Sequence, residues 1–398
     1  MNKELFEALC QLIEVRFSGL TRPIRKNLVV STVAFILVLS AVRSGQGRLS
    51  LAALARALPT QGTAHAREKR LYRFLKNPRL DFRTVTGSLA AIFIPPGRRF
   101  CPVILDQTKS GSAQALLAAV PYAGRALPLG CYTFDYPLTE PSLKSQNQLE
   151  HIFLLDTETS LPPGVIPIWI GDRAYARSLL LQQNEQEQRP YIVRGRKETM
   201  ITYRGQRMKL GQLHAPPRKA LRFENVLYHA QRKVPVDVIV YYDPTYQEPW
   251  YLLVPIAYRT LLETSVVVGI YRERMQIEQS FRDFKTHLGL RGLKLQIDIA
   301  PRMGRLLLAF CLTYVLCVLL GESPLGQEAR STFEIPRRMP RHGTRRTLSA
   351  LSIAMLILSH PQWVERAIAG LLKIIWKASA QRPLLSRTQL CLPQAMGP

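Results

Sequence analysis

The order of short apolar runs between residues 100 and 193 does most to limit the folds open to this chain. Runs of strand length are bounded by Gly and Pro, whereas the helical patterns between them repeat every three to four residues. In chain order they are strand-type at 101–105, 115–122 and 126–134, helix-type at 146–155, strand-type at 165–170, helix-type at 176–186 and strand-type at 191–193. This order predicts an α/β domain.

The flanking segments have different patterns. Apolar residues at helical spacing predict helices at 5–15, 28–42 and 51–58, with Ser50 placed to cap the last of them. Extended-type runs predict a β-rich unit inserted over 196–256. Beyond it we expect a long helix at 261–288, an apolar helix at 306–320, a basic linker at 337–346 and a last helical stretch at 348–378.

The apolar runs at 28–42 and 306–320 are candidates for membrane spans. Each has 15 residues, fewer than the roughly 20 that a bilayer-spanning helix requires, so both predict buried core helices and no membrane association. The first residues include Glu4 and no apolar stretch typical of a secretory signal. We therefore expect a cytoplasmic protein.

Basic residues recur along the whole chain, with 54 Lys and Arg against 28 Asp and Glu and a formal net charge of +26. Such a field favours a polyanionic partner, although a basic solubility surface or a membrane-associated protein would share it. One basic helix is expected at 67–76, where Arg70, Arg73 and Lys76 lie outside an apolar side. This helix either docks on DNA or has a solvated basic face.

Two carboxylates follow predicted strands, Asp106 after 101–105 and Asp172 after 165–170. An Asp at a strand end often only begins a turn or caps a helix. Glu278, on the helix at 261–288, supplies a third carboxylate that could meet them at one sheet edge. Carboxylate oxygens there could hold two divalent cations for in-line phosphoryl transfer.

The helix that carries Glu278 has one polar face. Arg274 and Glu278 on that face could simply form an i,i+4 ion pair worth about 0.3–0.5 kcal/mol. The face also has the hydrogen-bond donors that phosphate requires. Its members, at successive spacings of 3, 4, 4 and 3, are Tyr271, Arg274, Glu278, Arg282 and Lys285.

Four of these residues, Tyr271, Arg274, Glu278 and Lys285, match the YREK signature of bacterial insertion-sequence DDE transposases, of the insertion-sequence-four family. Asp106 in Leu-Asp-Gln-Thr and Asp172 in Ile-Gly-Asp-Arg-Ala-Tyr resemble the first and second acidic motifs of that family. The resemblance spans roughly residues 100 to 320. It implies an RNase H-like catalytic core with a β-rich insertion between the second Asp and the Glu.

The resemblance also implies roles for individual residues. Asp106, Asp172 and Glu278 would bind two Mg²⁺ or Mn²⁺ ions. The signature residues Tyr271, Arg274 and Lys285 would contact DNA phosphates. Trp250 resembles a tryptophan on which relatives stack a flipped base, although an ordinary strand aromatic is the alternative; for Arg282, a DNA contact rests on its helix face alone.

Together these observations predict an α/β fold with three regions: a helical DNA-end-binding domain at 1–95, an RNase H-like catalytic domain at 96–325, and a basic linker with a helical region at 326–398. The expected function is cut-and-paste transposition, with hairpin formation, at terminal inverted repeats and target DNA. The enzyme would be a homodimer, associated with the bacterial nucleoid. The alternatives are an RNase H-like nuclease without joining activity and an inactive DNA-binding remnant.

Overall fold

The computed structural model describes residues 3–43, 49–80, 82–95, 97, 100–110, 113–138, 145–283, 299–340 and 345–380. Lys285 lies outside the described residues, as do positions 341–344 of the predicted basic linker. The last 18 positions, 381–398, lie outside them too.

The amino-terminal segment is helical, as predicted. Its helices are α1 (Lys3–Arg16), α2 (Arg22–Arg43), α3 (Leu51–Ala57), α4 (Ala64–Lys76) and α5 (Phe82–Phe93). Ser50 caps α3 by accepting a hydrogen bond from the Ala53 amide, and Thr63 caps α4 in the same way.

A mixed sheet forms the centre of the fold. Its first five strands are β1 (Phe100–Ser110), β2 (Ala113–Tyr122), β3 (Arg125–Phe134), β4 (Ile166–Gly171) and β5 (Tyr191–Arg194). They lie in the order β3-β2-β1-β4-β5, in which β1, β4 and β5 are parallel to one another and β2 pairs antiparallel with both β1 and β3. Helices α6 (Gln146–Ser160) and α7 (Ser178–Gln186) make the two crossovers that parallel pairing requires.

The β-rich segment predicted at 196–256 is present, but it extends the central sheet. Strand β10 (Trp250–Val254) pairs with β5 on one side and with β9 (Val234–Tyr241) on the other. Beyond β9 the order continues β8-β6-β7, so the described strands form one ten-stranded sheet. These last strands are β6 (Met200–Tyr203), β7 (Gln206–Lys209) and β8 (Leu221–Tyr228).

The carboxyl-terminal part is helical. The helix expected to begin at 261 begins instead at Thr264 and consists of α8 (Thr264–Glu273) and α9 (Met275–Arg282), with Arg274 between them in helical conformation. The later helices are α10 (Ala300–Glu322), α11 (Pro324–Phe333), α12 (Ala350–Ser359) and α13 (Val364–Ser379). The stretch predicted at 348–378 is therefore two helices.

Helices α2 and α10 are long and apolar enough to cross a membrane by length and composition alone. In the structure both lie mainly inside the protein: 67% of the apolar window of α2 and 94% of that of α10 are buried. Phe35 of α2 meets Phe310 of α10 edge to face, with ring centroids 5.6 Å apart. The two helices pack as core helices, as the sequence predicts.

The end helices share this core. Arg16 of α1 donates a hydrogen bond of 2.7 Å to the Ala378 carbonyl of α13, and among the described residues the buried side chains form one continuous cluster. Described helices from the predicted regions 1–95 and 326–398 thus pack into one shared hydrophobic core. The division of the chain into domains stays a prediction.

Helix α10 approaches β3 closely at Gly304. A Cβ atom there would lie 2.5 Å from Thr133 Oγ1, which donates a 2.6 Å hydrogen bond to the Ala300 carbonyl. In α8, by contrast, a Cβ at Gly269 would meet nothing within 4 Å.

We therefore expect opposite effects from the same substitution in two helices. Gly304→Ala should lower the free energy of unfolding by about 1–3 kcal/mol because the methyl group overpacks the contact with β3. Gly269→Ala should raise it by about 0.5–1 kcal/mol through helix propensity. Urea unfolding followed by far-UV circular dichroism measures both, and equal shifts in one direction would contradict the packing described.

Candidate active site

Asp106 in β1 and Asp172, the residue directly after β4, lie at matching positions relative to two neighbouring parallel strands. The pairing of β1 with β4 aligns Ile104 with Ile170, and each Asp follows two residues later. The sequence predicts that Asp106 follows the end of its strand, but β1 continues to Ser110. Beyond Asp106 it is paired with β2 alone. The two carboxylates therefore stand side by side where the parallel part of the sheet ends.

Helix α9 brings Glu278 to this edge because its other face is fixed to the β2–β3 hairpin. The Gln276 carboxamide accepts a 2.9 Å hydrogen bond from the Tyr122 amide, and Ser280 Oγ bonds to both backbone groups of Ala126 at 2.8 and 3.1 Å. One turn further on, the buried Asp283 carboxylate accepts a 2.7 Å bond from Arg125. Three contacts at successive turns thus fix the position and rotation of α9.

Arg274 joins the helix to the sheet. Its guanidinium donates a 2.6 Å hydrogen bond to Glu278 and lies 3.5 Å from Asp106. The Arg274 side chain is 8% exposed and that of Asp106 15%, whereas the Glu278 side chain is 46% exposed. Asp106 and Glu278 therefore do not contact each other directly; each contacts the Arg274 guanidinium that lies between them.

The charges of the site act on one another. Burial, followed by the negative charges of Asp172 and Glu278, raises the pKa of Asp106 to about 6, although Arg274 and the Gln107 amide act in the opposite direction. Burial lowers the pKa of Arg274, yet the neighbouring Tyr271, Asp106 and Glu278 leave it above its usual value. A further cation near Asp106 and Asp172 would relieve their mutual repulsion.

A fourth carboxylate, which the sequence analysis did not identify, lies behind the site. Glu150 of α6 is 1% exposed and forms an ion pair with Arg177. Gln146 donates to Glu150 at 2.9 Å and to Gln107, the neighbour of Asp106, at 2.8 Å. Burial raises the pKa of Glu150, and the charge of Asp172 adds to the effect.

The Tyr175 side chain packs against Gly171, the residue before Asp172. A Cβ at Gly171 would lie 3.0 Å from its side chain, so a larger residue would have to displace Tyr175 by a few tenths of an ångström. Burial and then the charges of Glu150, Asp106 and Asp172 raise the pKa of Tyr175 well above its usual value. Its hydroxyl is buried and finds no hydrogen-bond partner among the described residues.

The donor set suits a hard divalent cation, because Asp106 and Asp172 offer only carboxylate oxygens. The raised pKa of Asp106 indicates a site in need of positive charge. Within the described part of the chain, no three His, Cys, Asp or Glu side chains meet closely enough to enclose a metal ion. The Arg274 guanidinium contacts both Asp106 and Glu278 and so occupies the space between them.

Aromatic rings flank the carboxylates. Trp250, the first residue of β10, is 5% exposed, and the buried Tyr271 meets its ring edge to face at a centroid distance of 5.0 Å. The Arg274 guanidinium lies 5.9 Å from the Tyr271 ring centroid. Tyr246 is stacked on Trp250, with centroids 4.8 Å apart and planes 14° from parallel. Base stacking by Trp250 stays a prediction. In this structure the Tyr246 ring is stacked on one face of the Trp250 indole.

The other predicted DNA contacts are spread over the surface. Arg282 is exposed on α9, and Arg73 and Lys76 are exposed on α4. Arg70 is half-buried and donates a 2.8 Å hydrogen bond to Asn27 of α2, so it supports the helix packing.

Comparisons with known proteins agree with part of this picture. Residues 135–314 match the family model described as "Transposase DDE domain", a segment that contains Asp172 and Glu278 but not Asp106. No curated protein matches the chain. A cryo-EM structure of a piggyBac transposase synaptic complex with hairpin DNA is similar at a TM-score of 0.44 and 10% identity, over 100% of this chain and 84% of that one. The family match supports a transposase of the DDE type.

The raised pKa of Asp106 predicts how stability depends on pH. The folded-state pKa of about 6 exceeds the unfolded value of about 3.9, so the contribution of the protonated carboxyl is present below pH 4 and is lost as pH rises to 6. Asp106→Asn should therefore stabilise the protein at pH 7, by up to about 3 kcal/mol, and not at pH 4. Unfolding in urea with EDTA, from pH 4 to 7, measures this. A difference from wild type that is constant over that range would contradict it.

Proposed function

We propose that this chain is an insertion-sequence transposase that cuts and joins DNA at the Asp106, Asp172 and Glu278 site. The observation that carries the proposal is the matched register of Asp106 and Asp172, with the helix of Glu278 fixed against the same sheet. The strand order β3-β2-β1-β4-β5 supports an RNase H-like core.

The three carboxylates would hold Mg²⁺ or Mn²⁺, two ions in all. When bound, such ions activate a water or 3′-hydroxyl and stabilise the leaving oxygen of a phosphodiester. Glu278 is the ligand free to adjust, because its side chain is half-exposed and held by Arg274 alone among the contacts described. Asp106 and Asp172 are held by the sheet.

The cations of this chain supply phosphate contacts. Arg274 has a planar fork of donors, which suits phosphate oxygens as well as the carboxylates that it now binds. Tyr271 lies beside it, and Lys285 and Arg282 complete the proposed set. Arg274, just before α9, and Glu278 lie on one helical face, so a phosphate bound by the guanidinium would lie next to the carboxylates.

Cut-and-paste excision through a hairpin is the mechanism that we propose. The partners are then the terminal inverted repeats and target DNA, bound by a homodimer at the bacterial nucleoid in the cytoplasm. Stacking of a flipped base on Trp250 would belong to the hairpin step.

The test uses a supercoiled plasmid that carries the DNA flanking this coding sequence, with Mg²⁺. Wild type should give nicks, hairpins and joined products, and Glu278→Gln should reduce all three by at least about 100-fold. The control is Glu263→Gln, which removes an exposed carboxylate just before α8 and should leave the products unchanged.

Each other result has a distinct meaning. Equal activity in Glu278→Gln and wild type would refute the assigned site. Nicks without joined products would favour the nuclease without joining activity, and DNA binding with no cleavage at any metal concentration would favour the inactive remnant.

The exposed basic residues of α4 allow a second test. If Arg73 and Lys76 contact DNA phosphates, replacing both with Gln should weaken duplex binding and reduce the salt dependence by about two ion equivalents. The matched control replaces Lys373 and Lys377, two exposed lysines one turn apart on α13, and makes the same change in charge. Filter binding across a salt series measures both; equal losses would show a general charge effect and no specific role for α4.

A further inference from the structure

One acidic side chain lies within a group of basic ones next to the carboxylate site. The Glu248 carboxylate forms ion pairs with Arg173 and, at 3.0 Å, with Arg194, while Lys197 lies 3.9 Å away. Hydrogen bonding to Arg173, followed by the charges of Arg173, Arg194 and Lys197, holds the pKa of Glu248 below its usual range. The contacts that three cations would make to a phosphate are thus made to one carboxylate.

The loop that carries Glu248 also supplies an aromatic ring. Residues 242–249, here termed the 242–249 loop, connect β9 to β10 and carry both Tyr246 and Glu248. Tyr246 lies nearly parallel on Trp250, in the arrangement that a base takes on an aromatic side chain. Tyr271 and Tyr241 also contact Trp250, with ring centroids 5.0 and 5.7 Å away and inclined planes, so Tyr246 is the one of these three rings that is stacked parallel to the indole.

We propose that the 242–249 loop imitates a nucleotide, with the Glu248 carboxylate in the place of a phosphate and the Tyr246 ring in the place of a base. DNA would displace both and occupy a phosphate-binding site formed by Arg173, Arg194 and Lys197. This inference rests on the proposed function, since it takes the ligand to be a DNA strand.

The location fits a strand that also reaches the carboxylates. Arg173 directly follows Asp172. The Asp172 carboxylate accepts a 2.7 Å hydrogen bond from the amide of Ala174, the residue after Arg173. Arg194 ends β5, the strand beside β4, and donates to the Pro249 carbonyl at 3.3 Å. A backbone that followed these cations would therefore pass beside Asp172.

The loop is built to hold its shape yet to leave its site. A turn in which the Asp243 carboxylate accepts bonds from the Thr245 amide at 3.0 Å and hydroxyl at 2.8 Å shapes its first half. Its grip on the site comes from one ring stack and from the ion pairs of Glu248 to three cations. The side chains of Arg173 and Lys197 are 47% and 56% exposed, and that of Arg194 is 17% exposed. The ion pairs to the exposed Arg173 and Lys197 are weak and exchange readily for phosphate.

The first test compares Glu248→Gln with Glu224→Gln. Glu224 lies on β8, is 53% exposed and forms an ion pair with Arg259, so the matched variant makes the same change in charge away from the site. The probe is fluorescein-labelled oligothymidylate, and the readout is its anisotropy in EDTA, where no cleavage occurs. Glu248→Gln should tighten binding by about 5- to 10-fold, because the competing carboxylate is gone, and Glu224→Gln by less than about 2-fold.

The second test concerns the ring. Tyr246→Ala should also tighten binding of the oligonucleotide, and it should make tryptophan fluorescence more accessible to acrylamide. The increase in acrylamide quenching should vanish in Tyr246→Ala/Trp250→Phe, because Trp250 is the tryptophan that the loss of Tyr246 exposes. Tyr246→Phe retains the stack and should bind like wild type.

Weaker binding by Glu248→Gln or Tyr246→Ala would overturn the proposal, because the loop would then support the site and not compete for it. Equal effects of Glu248→Gln and Glu224→Gln would overturn it as well. The cleavage test is independent: joined products from wild type with equal binding by the two Gln variants would reject the loop inference alone. Tighter binding by Glu248→Gln in a chain that never cleaves would reject transposition alone.

Discussion

The parallel pairing of β1 with β4 is the constraint on which the site depends. It aligns Ile104 with Ile170 and so sets Asp106 beside Asp172. A slip of one residue would turn one of the two carboxylates to the opposite face of the sheet. On its other side β1 pairs with β2, whose hairpin with β3 receives α9. One strand therefore positions all three carboxylates, two through the sheet and Glu278 through a helix.

The sequence predicts the parts of this arrangement that are local. Apolar runs of strand length identify the five central strands, and the spacing of Arg274 and Glu278 identifies their common helix face. It does not predict that β10 joins β5, because a two-residue period says nothing about which strand is the neighbour. Glu150 also escapes notice, since its proximity to Asp172 appears only after α6 and α7 have packed.

The docking of α9 shows the same limit in more detail. Gln276, Ser280 and Asp283 lie outside the signature, and each has its partner more than 150 residues earlier in the chain. No local pattern marks a glutamine or serine whose partner is a backbone group of a distant hairpin. Yet these contacts are buried or half-buried, and they determine which way Glu278 faces. The proposed site residues are thus easier to predict from the sequence than the residues that fix the position of their helix.

The site separates a fixed framework from exchangeable charges. Asp106 lies in the paired strand β1 and Asp172 directly follows β4, whereas Arg274, Arg173 and Arg194 bind carboxylates of the chain itself. With a net charge of +26, the protein has few acidic groups, and several of them are pairs for cations around the site. Such pairs satisfy desolvated guanidinium groups, which would be costly if left alone. Because a phosphate offers the same acceptor geometry with more charge, the proposed DNA strand would replace these partners and leave the framework in place.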